Sequence, residues 1–155
     1  MEAPKGLVVH VQVGTGSLFE WFDNPASEVS AHYWIRRDGY LEQYVNQFSE
    51  AWAEMAGNPD YLSVETEGQP AEALTLEQAT ALAKLLAWCH DDWGLLLKLV
   101  DHGGAGITTH AHYPSGVPDP AWGGHSCPGV VRSAQLPRVL EAAVALSSFP
   151  LLAPI

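Results

Sequence analysis

Apolar residues alternate with a period of two near the start of the chain. Leu7, Val9, Val11 and Val13 fall on one face of an extended segment, and Val8, His10 and Gln12 on the other. This predicts a buried strand over Gly6 to Val13, ended by Gly14-Thr15-Gly16. A short helical turn is expected over Ser17 to Phe22. Two further runs, Ala31 to Arg37 and Tyr40 to Asn46, flank Asp38-Gly39, a pair that tolerates positive φ and so signals a hairpin. Tyr61 to Thr66 repeats the strand alternation, with Leu62 and Val64 opposite Ser63 and Glu65. The period then lengthens. From Leu76 to Trp93 the apolar stripe runs through Ala79, Leu82, Leu86 and Cys89, widened by Ala83 and Leu85, which predicts a helix. Thr75 and Gln78 form its capping box. A short strand over Ile107 to His110 follows Gly103-Gly104-Ala105-Gly106, and a loop rich in Pro and Gly spans Ala111 to Val130. A second helix is expected from Ala134 to Leu146, with Pro137 tolerated because it falls in the first turn. Interleaved strands and helices around one antiparallel hairpin predict an α/β fold, a mixed central β-sheet flanked by helices.

Composition narrows the picture. The chain has 155 residues, 47 % of them apolar, which predicts one domain with its own core over residues 1–148. Phe149 to Ile155 is apolar and broken by proline, and reads as a tail or a linker to a further module. Seven basic and 18 acidic residues give a formal charge of −11. No basic patch is available to displace counterions, so a nucleic-acid partner is not expected, nor is attraction to an anionic membrane. No apolar run is long enough to span a bilayer. Met1 to Lys5 lacks the features of a signal peptide, and two cysteines, Cys89 and Cys127, do not make a disulfide framework. Synthesis in the cytoplasm and a monomeric state are expected.

Five residues carry candidate chemistry. His10 projects from the strand face opposite the uniformly apolar one, His110 ends a short strand, and Cys127 sits in the turn-rich Gly123-Gly124-His125-Ser126-Cys127-Pro128-Gly129. Two imidazoles and a thiol that leave a fourth position open form a ligand set for a catalytic zinc. His112, two residues beyond His110, is the rival ligand, and His110 is preferred because it lies nearer the strand end. Glu65 stands in an apolar strand, where a carboxylate needs a partner or a task. It can accept a proton from water at the metal, or else occupy an exposed position on an antiparallel edge. His125 can reach the same spot, or be a solvated loop residue. His32 reads as core or as support for the site, and His90 and His102 as solvated.

The chain resembles the type 2 N-acetylmuramoyl-L-alanine amidases, whose fold is shared with phage amidase lysozymes and peptidoglycan recognition proteins. The resemblance covers about Leu7 to Leu146. It is carried by Val8-Val9-His10-Val11-Gln12-Val13-Gly14, Ser30 to Gly39, Ala51-Trp52, Leu62-Ser63-Val64-Glu65, the helix around Gln78 to Trp88, Thr109-His110 and His125-Ser126-Cys127-Pro128-Gly129. It implies zinc (Zn2+) held by His10, His110 and Cys127 at the floor of a surface groove, Glu65 on the catalytic water, and peptidoglycan as substrate. It also implies a bacteriolytic context, such as a bacteriophage endolysin that acts on the wall after release. His125 takes the place where many members carry a lysine that steadies the oxyanion. Ala31 replaces a tyrosine of some phage members, which makes Glu65 more necessary. The usual Trp-His-Ala-Gly stretch reads Trp52-Ala53-Glu54-Met55-Ala56-Gly57, a change expected in the groove wall. A non-catalytic wall-binding module, a cysteine hydrolase using Cys127 and a zinc peptidase acting on the stem peptide are the competing readings. Cytoplasmic recycling of wall fragments fits the same sequence facts.

Overall fold

The computed structural model describes residues 3–148. The predicted tail lies outside them. Five strands form one sheet: β1 (Gly6–Val11), β2 (Tyr33–Ile35), β3 (Leu41–Gln43), β4 (Tyr61–Thr66) and β5 (Gly106–Thr109), in the order β3-β2-β4-β1-β5. The β2, β4, β1 and β5 ladders run parallel, and β3 closes one edge antiparallel to β2. The sheet is therefore mixed, as the alternation of patterns requires.

One face of this sheet is apolar. Leu7, Val9, Ile35, Leu62, Val64 and Ile107 pack there against two helices, α2 (Leu76–Trp93) and α4 (Leu136–Leu146), through Leu82, Leu86, Cys89, Val139 and Ala143. Single-turn helices, α1 (Phe19–Phe22) and α3 (Val130–Ser133), complete the set. The capping box of α2 is present in both halves: Thr75 accepts from the Gln78 backbone N–H, and Gln78 accepts from that of Thr75. Gln78 also donates to the carbonyls of Ile35 and Glu67, tying the helix start to the sheet.

The other face is covered by loops, not by a long helix. A small apolar cluster of Val8, Tyr61 and Trp122 lies there. In this parallel register His10 stands beside Glu65 and Glu65 beside Trp34, so these three side chains form one row. The row lies near the carboxyl ends of the strands, where ligands bind in open α/β sheets.

Some boundaries shift from the expected ones. β1 stops at Val11, because Gly14 exchanges two hydrogen bonds with Gly68 and the chain must turn before it. Val13 takes φ +55° and is 60 % exposed, not buried with Val11. The hairpin around Asp38-Gly39 forms with strands of three residues each, and Gly39 supplies the positive φ of +84°. β5 ends at Thr109, so His110 is the first residue after the strand. Helix α4 starts at Leu136, with Pro137 in its first turn. Among the described residues no helix is long and apolar enough to cross a membrane.

Arg132 fastens α3 to the end of β4. It is fully buried, and its guanidinium donates to the Glu72, Thr66 and Glu67 carbonyls and to the Thr66 hydroxyl at 2.6 Å. Removing it orphans several acceptors at once. Arg132→Ala is expected to cost about 3 kcal/mol, lowering the melting temperature by roughly 6–12 °C. Arg132→Lys is expected to recover little, since one ammonium cannot replace the planar fork. Thermal unfolding followed by circular dichroism checks both.

His32 belongs to the core. The Ser63 N–H donates to Nδ1 at 3.0 Å, so Nδ1 carries no proton, and Nε2 donates to the Ser49 carbonyl at 3.0 Å. Burial lowers its proton affinity. The unfolded chain binds this proton more readily, near the ordinary value of about 6.5. The stability His32 contributes is therefore fully present above that value and declines as pH falls below it. His32→Gln is expected to flatten the loss of stability between pH 7.5 and 5.5, measured by chemical denaturation of the metal-free protein.

Candidate metal centre and active site

Three segments distant in sequence converge on the polar face. His10 comes from the end of β1, His110 from the residue after β5, and Cys127 from the loop before α3. One donor atom from each lies within 4.8 Å of the other two. The His10 and His110 rings meet edge to face at 4.7 Å. The Val11 backbone N–H donates to Cys127 Sγ at 3.1 Å, so the sulfur is anchored to the strand that carries His10.

Hydrogen bonding fixes how His110 presents itself. Its Nε2 donates to the Trp122 carbonyl. A carbonyl oxygen only accepts, so the proton resides on Nε2 and Nδ1 keeps its lone pair. Such a partner behind the ring is the usual support of a metal-binding imidazole. Burial, reinforced by positive charge on His10, pushes the His110 pKa down to about 3, so the ring is neutral at physiological pH. His10 behaves oppositely. Burial alone would lower its proton affinity, but Cys127, Glu54 and Glu65 around it outweigh that and raise it well above the ordinary value.

Glu65 lies inside the sheet, between β2 and β1, and not on an antiparallel edge. Its side chain is 18 % exposed, with Oε1 3.9 Å from His10 Nδ1, and Oε2 has no hydrogen-bond partner. Burial raises its proton affinity, the His10 charge pulls it partly back, the Glu54 charge raises it further, and the Arg132 charge lowers it. A carboxylate in this state is suited to taking and returning a proton.

His125 is exposed, its ring 5.1 Å from that of His110. Both line a cleft of about 720 Å³, together with Trp52, Met55, Trp122 and Gly123. A smaller depression of about 180 Å³ holds Glu65, Gln12, Trp21 and Trp52. The two share Val29, Trp52 and Ala53. The five predicted site residues thus stand in one neighbourhood.

The stretch Trp52 to Gly57 lines the larger cleft through Trp52, Ala53, Met55 and Ala56, as expected of a groove wall. Glu54 departs from this. It is fully buried, with Oε2 3.4 Å from His10 Nε2. The sequence places the whole stretch in the groove wall and does not single out Glu54. The sequence carries no signal for its contact with His10, which the tertiary packing of this loop creates.

A second group, Asp101, His102 and His112, also brings donor atoms within 4.8 Å. Its two imidazole rings stack at 4.3 Å with planes 29° apart. His112 Nδ1 pairs with Asp101 at 2.8 Å, and His102 pairs with Asp119 at 3.0 Å and with the Thr109 carbonyl. The His102 side chain, expected in solvent, is instead 6 % exposed and stacked on Trp122 at 3.8 Å. The group props Trp122, whose carbonyl holds His110. His112 thus faces Asp101 and Asp119 rather than the three-donor cluster.

Residues 1–130 match the family described as N-acetylmuramoyl-L-alanine amidase. The chain belongs to that family. N-acetylmuramoyl-L-alanine amidase A of Achromobacter lyticus is 37 % identical over 70 residues, which cover 43 % of this chain and 39 % of that relative's length. Solved structures share the fold. The hydrolase AmiA of Staphylococcus aureus, in complex with its ligand, superimposes with a TM-score of 0.73 at 18 % identity, over 92 % of this chain and 73 % of its own. The endolysine N-acetylmuramoyl-L-alanine amidase LysCS of Clostridium intestinale URNW gives 0.67 at 16 % identity, over 90 % and 84 %.

Proposed function

We propose that this chain is a zinc-dependent hydrolase of the amide between N-acetylmuramic acid and L-alanine in peptidoglycan. The observation that carries the reading is the convergence of two imidazoles and a thiol, within 4.8 Å, beside a half-buried carboxylate. The donor set fits zinc: nitrogen and sulfur ligands, three from the protein, with His110 already held in the tautomer a metal requires. When bound, zinc would lower the pKa of its water from about 15.7 toward 7 and polarise the substrate carbonyl.

The chain's own residues would do the rest. His10, His110 and Cys127 hold the ion. Glu65, on the cleft side of His10, accepts the proton of the attacking water. His125, at the exposed rim, donates a hydrogen bond to the carbonyl oxygen as negative charge grows there. A donor so placed is worth roughly 3–4 kcal/mol in comparable sites. Glu65 or His125 then returns a proton to the leaving amine. The two depressions meeting at Trp52 would receive the parts of the wall polymer on either side of the reacting amide. With a formal charge of −11, long-range attraction to acidic wall polymers is absent, and recognition would rest on groove contacts. Kinship of fold with an endolysin supports action on the bacterial wall after release from the cytoplasm, alone or joined to other lysin modules.

The test is metal content together with product mass on digested peptidoglycan. One zinc per chain and release of intact stem peptides beginning with L-alanine support the reading. A metal-free, active protein would point instead to Cys127 as a nucleophile. Cleavage within the stem peptide would point to a peptidase, and metal binding without cleavage to a binding module.

A further inference from the structure

Glu54 is a buried carboxylate without a hydrogen-bond partner. Its residue is 0 % exposed, and neither Oε1 nor Oε2 accepts a hydrogen bond. His10 Nε2 is likewise buried and without one. The two face each other at 3.4 Å. Burying a carboxylate uncompensated is costly, so a chain that keeps one under a candidate metal ligand keeps it for an interaction.

The loop is built to turn this side chain inward. The backbone N–H groups of Ala53 and Glu54 both donate to Asn58 Oδ1, at 3.1 and 2.8 Å, and the Gly57 N–H donates to the Glu54 carbonyl. Met55 takes φ +48°, which sends its own side chain out to the cleft. At Gly57 a Cβ would stand 2.7 Å from Glu54 Cγ and 2.8 Å from Trp122. Only glycine leaves room for Glu54 and Trp122 to pass, so the same turn places the groups behind both imidazoles.

We infer that Glu54 is the positioning residue for His10, a carboxylate behind Nε2 that directs Nδ1 toward the metal. The inference rests on the proposed zinc site. It makes the two imidazoles differently supported: a neutral carbonyl behind His110 and an anion behind His10. The anion makes His10 the more strongly donating ligand. It also brings negative charge beside the site, which a dication neutralises and a monocation does not.

The test compares the parent with Glu54→Gln and Glu54→Met. Zinc affinity is measured by competition with a chromogenic chelator, and the cobalt-substituted proteins are compared by absorption. Removing such a partner typically weakens metal binding by roughly 10–100-fold. That loss is expected in both variants, larger in Glu54→Met, whose thioether is only a weak acceptor. The cobalt ligand-field bands are expected to shift while the thiolate-to-cobalt band from Cys127 persists. Melting temperatures of the metal-free proteins are expected to change little, because Glu54 stands 3.4 Å from His10 and accepts no hydrogen bond that its removal would break.

Zinc affinity within twofold of the parent in both variants, or unchanged cobalt spectra, would overturn the positioning role alone. Weaker zinc binding accompanied by a lower metal-free melting temperature would also overturn it, assigning Glu54 to packing. A parent that binds no zinc would defeat the ligand set itself, and the role of Glu54 with it.

Discussion

Glu65→Gln is expected to retain one zinc per chain and to lose wall hydrolysis by about 10²–10⁴-fold, the usual contribution of a positioned acid or base. Glutamine keeps the shape of the side chain in the β2-β4-β1 row, so the sheet is left intact. What it loses is the ability to take a proton. Glu65 is the partly exposed carboxylate beside His10, whereas Glu54, on the other side of the ring, is sealed from the cleft. The measurement is the release of free amino groups from purified peptidoglycan, alongside metal analysis of the same sample. Full activity in the variant would remove Glu65 from the chemistry.

Cys127→Ala acts one step earlier. Structural zinc in small peptides is bound with about 10–16 kcal/mol. With three protein ligands sharing such an energy, loss of one is expected to weaken zinc binding by on the order of 10³-fold and to abolish lysis at ordinary zinc concentrations. The variant should fold, because Cys127 stands outside the apolar core between the sheet and helices α2 and α4. Equilibrium dialysis against buffered zinc checks the affinity, and excess zinc should restore part of the activity. Activity undiminished by the substitution and by chelation would exclude both the metal reading and the thiol-nucleophile reading. His110→Ala is expected to behave like Cys127→Ala as a metal-binding defect, which separates the two readings if only the cysteine matters.

The strands and long helices were legible because their signals are local. Alternation marks β1 and β4, the capping box marks the start of α2, and Asp38-Gly39 marks the hairpin. The pairing of His10 with Glu65 was not legible, because register across parallel strands depends on segments 55 residues apart in the chain. The boundary error at Val13 has a similar origin. Its apolar side chain continues the alternation, but the bridge between Gly14 and Gly68 turns the chain outward. The burial of Glu54 and His102 was not legible for a common reason. Composition places charged and imidazole side chains in water, and only the tertiary packing of loops 48–60 and 101–125 around Trp122 buries them. The ligand set could be proposed because its residue types are few and distinctive, and its support could not, because carboxylates and carbonyls are everywhere.

The hydrogen bond from the Val11 amide to the Cys127 sulfur has a practical consequence. It ties one donor to the strand bearing another through the protein's own backbone, within a framework whose core is assembled elsewhere. Stripping and refilling this centre should therefore be possible on an intact fold, so that one preparation can be charged in turn with different divalent ions and their rates set side by side.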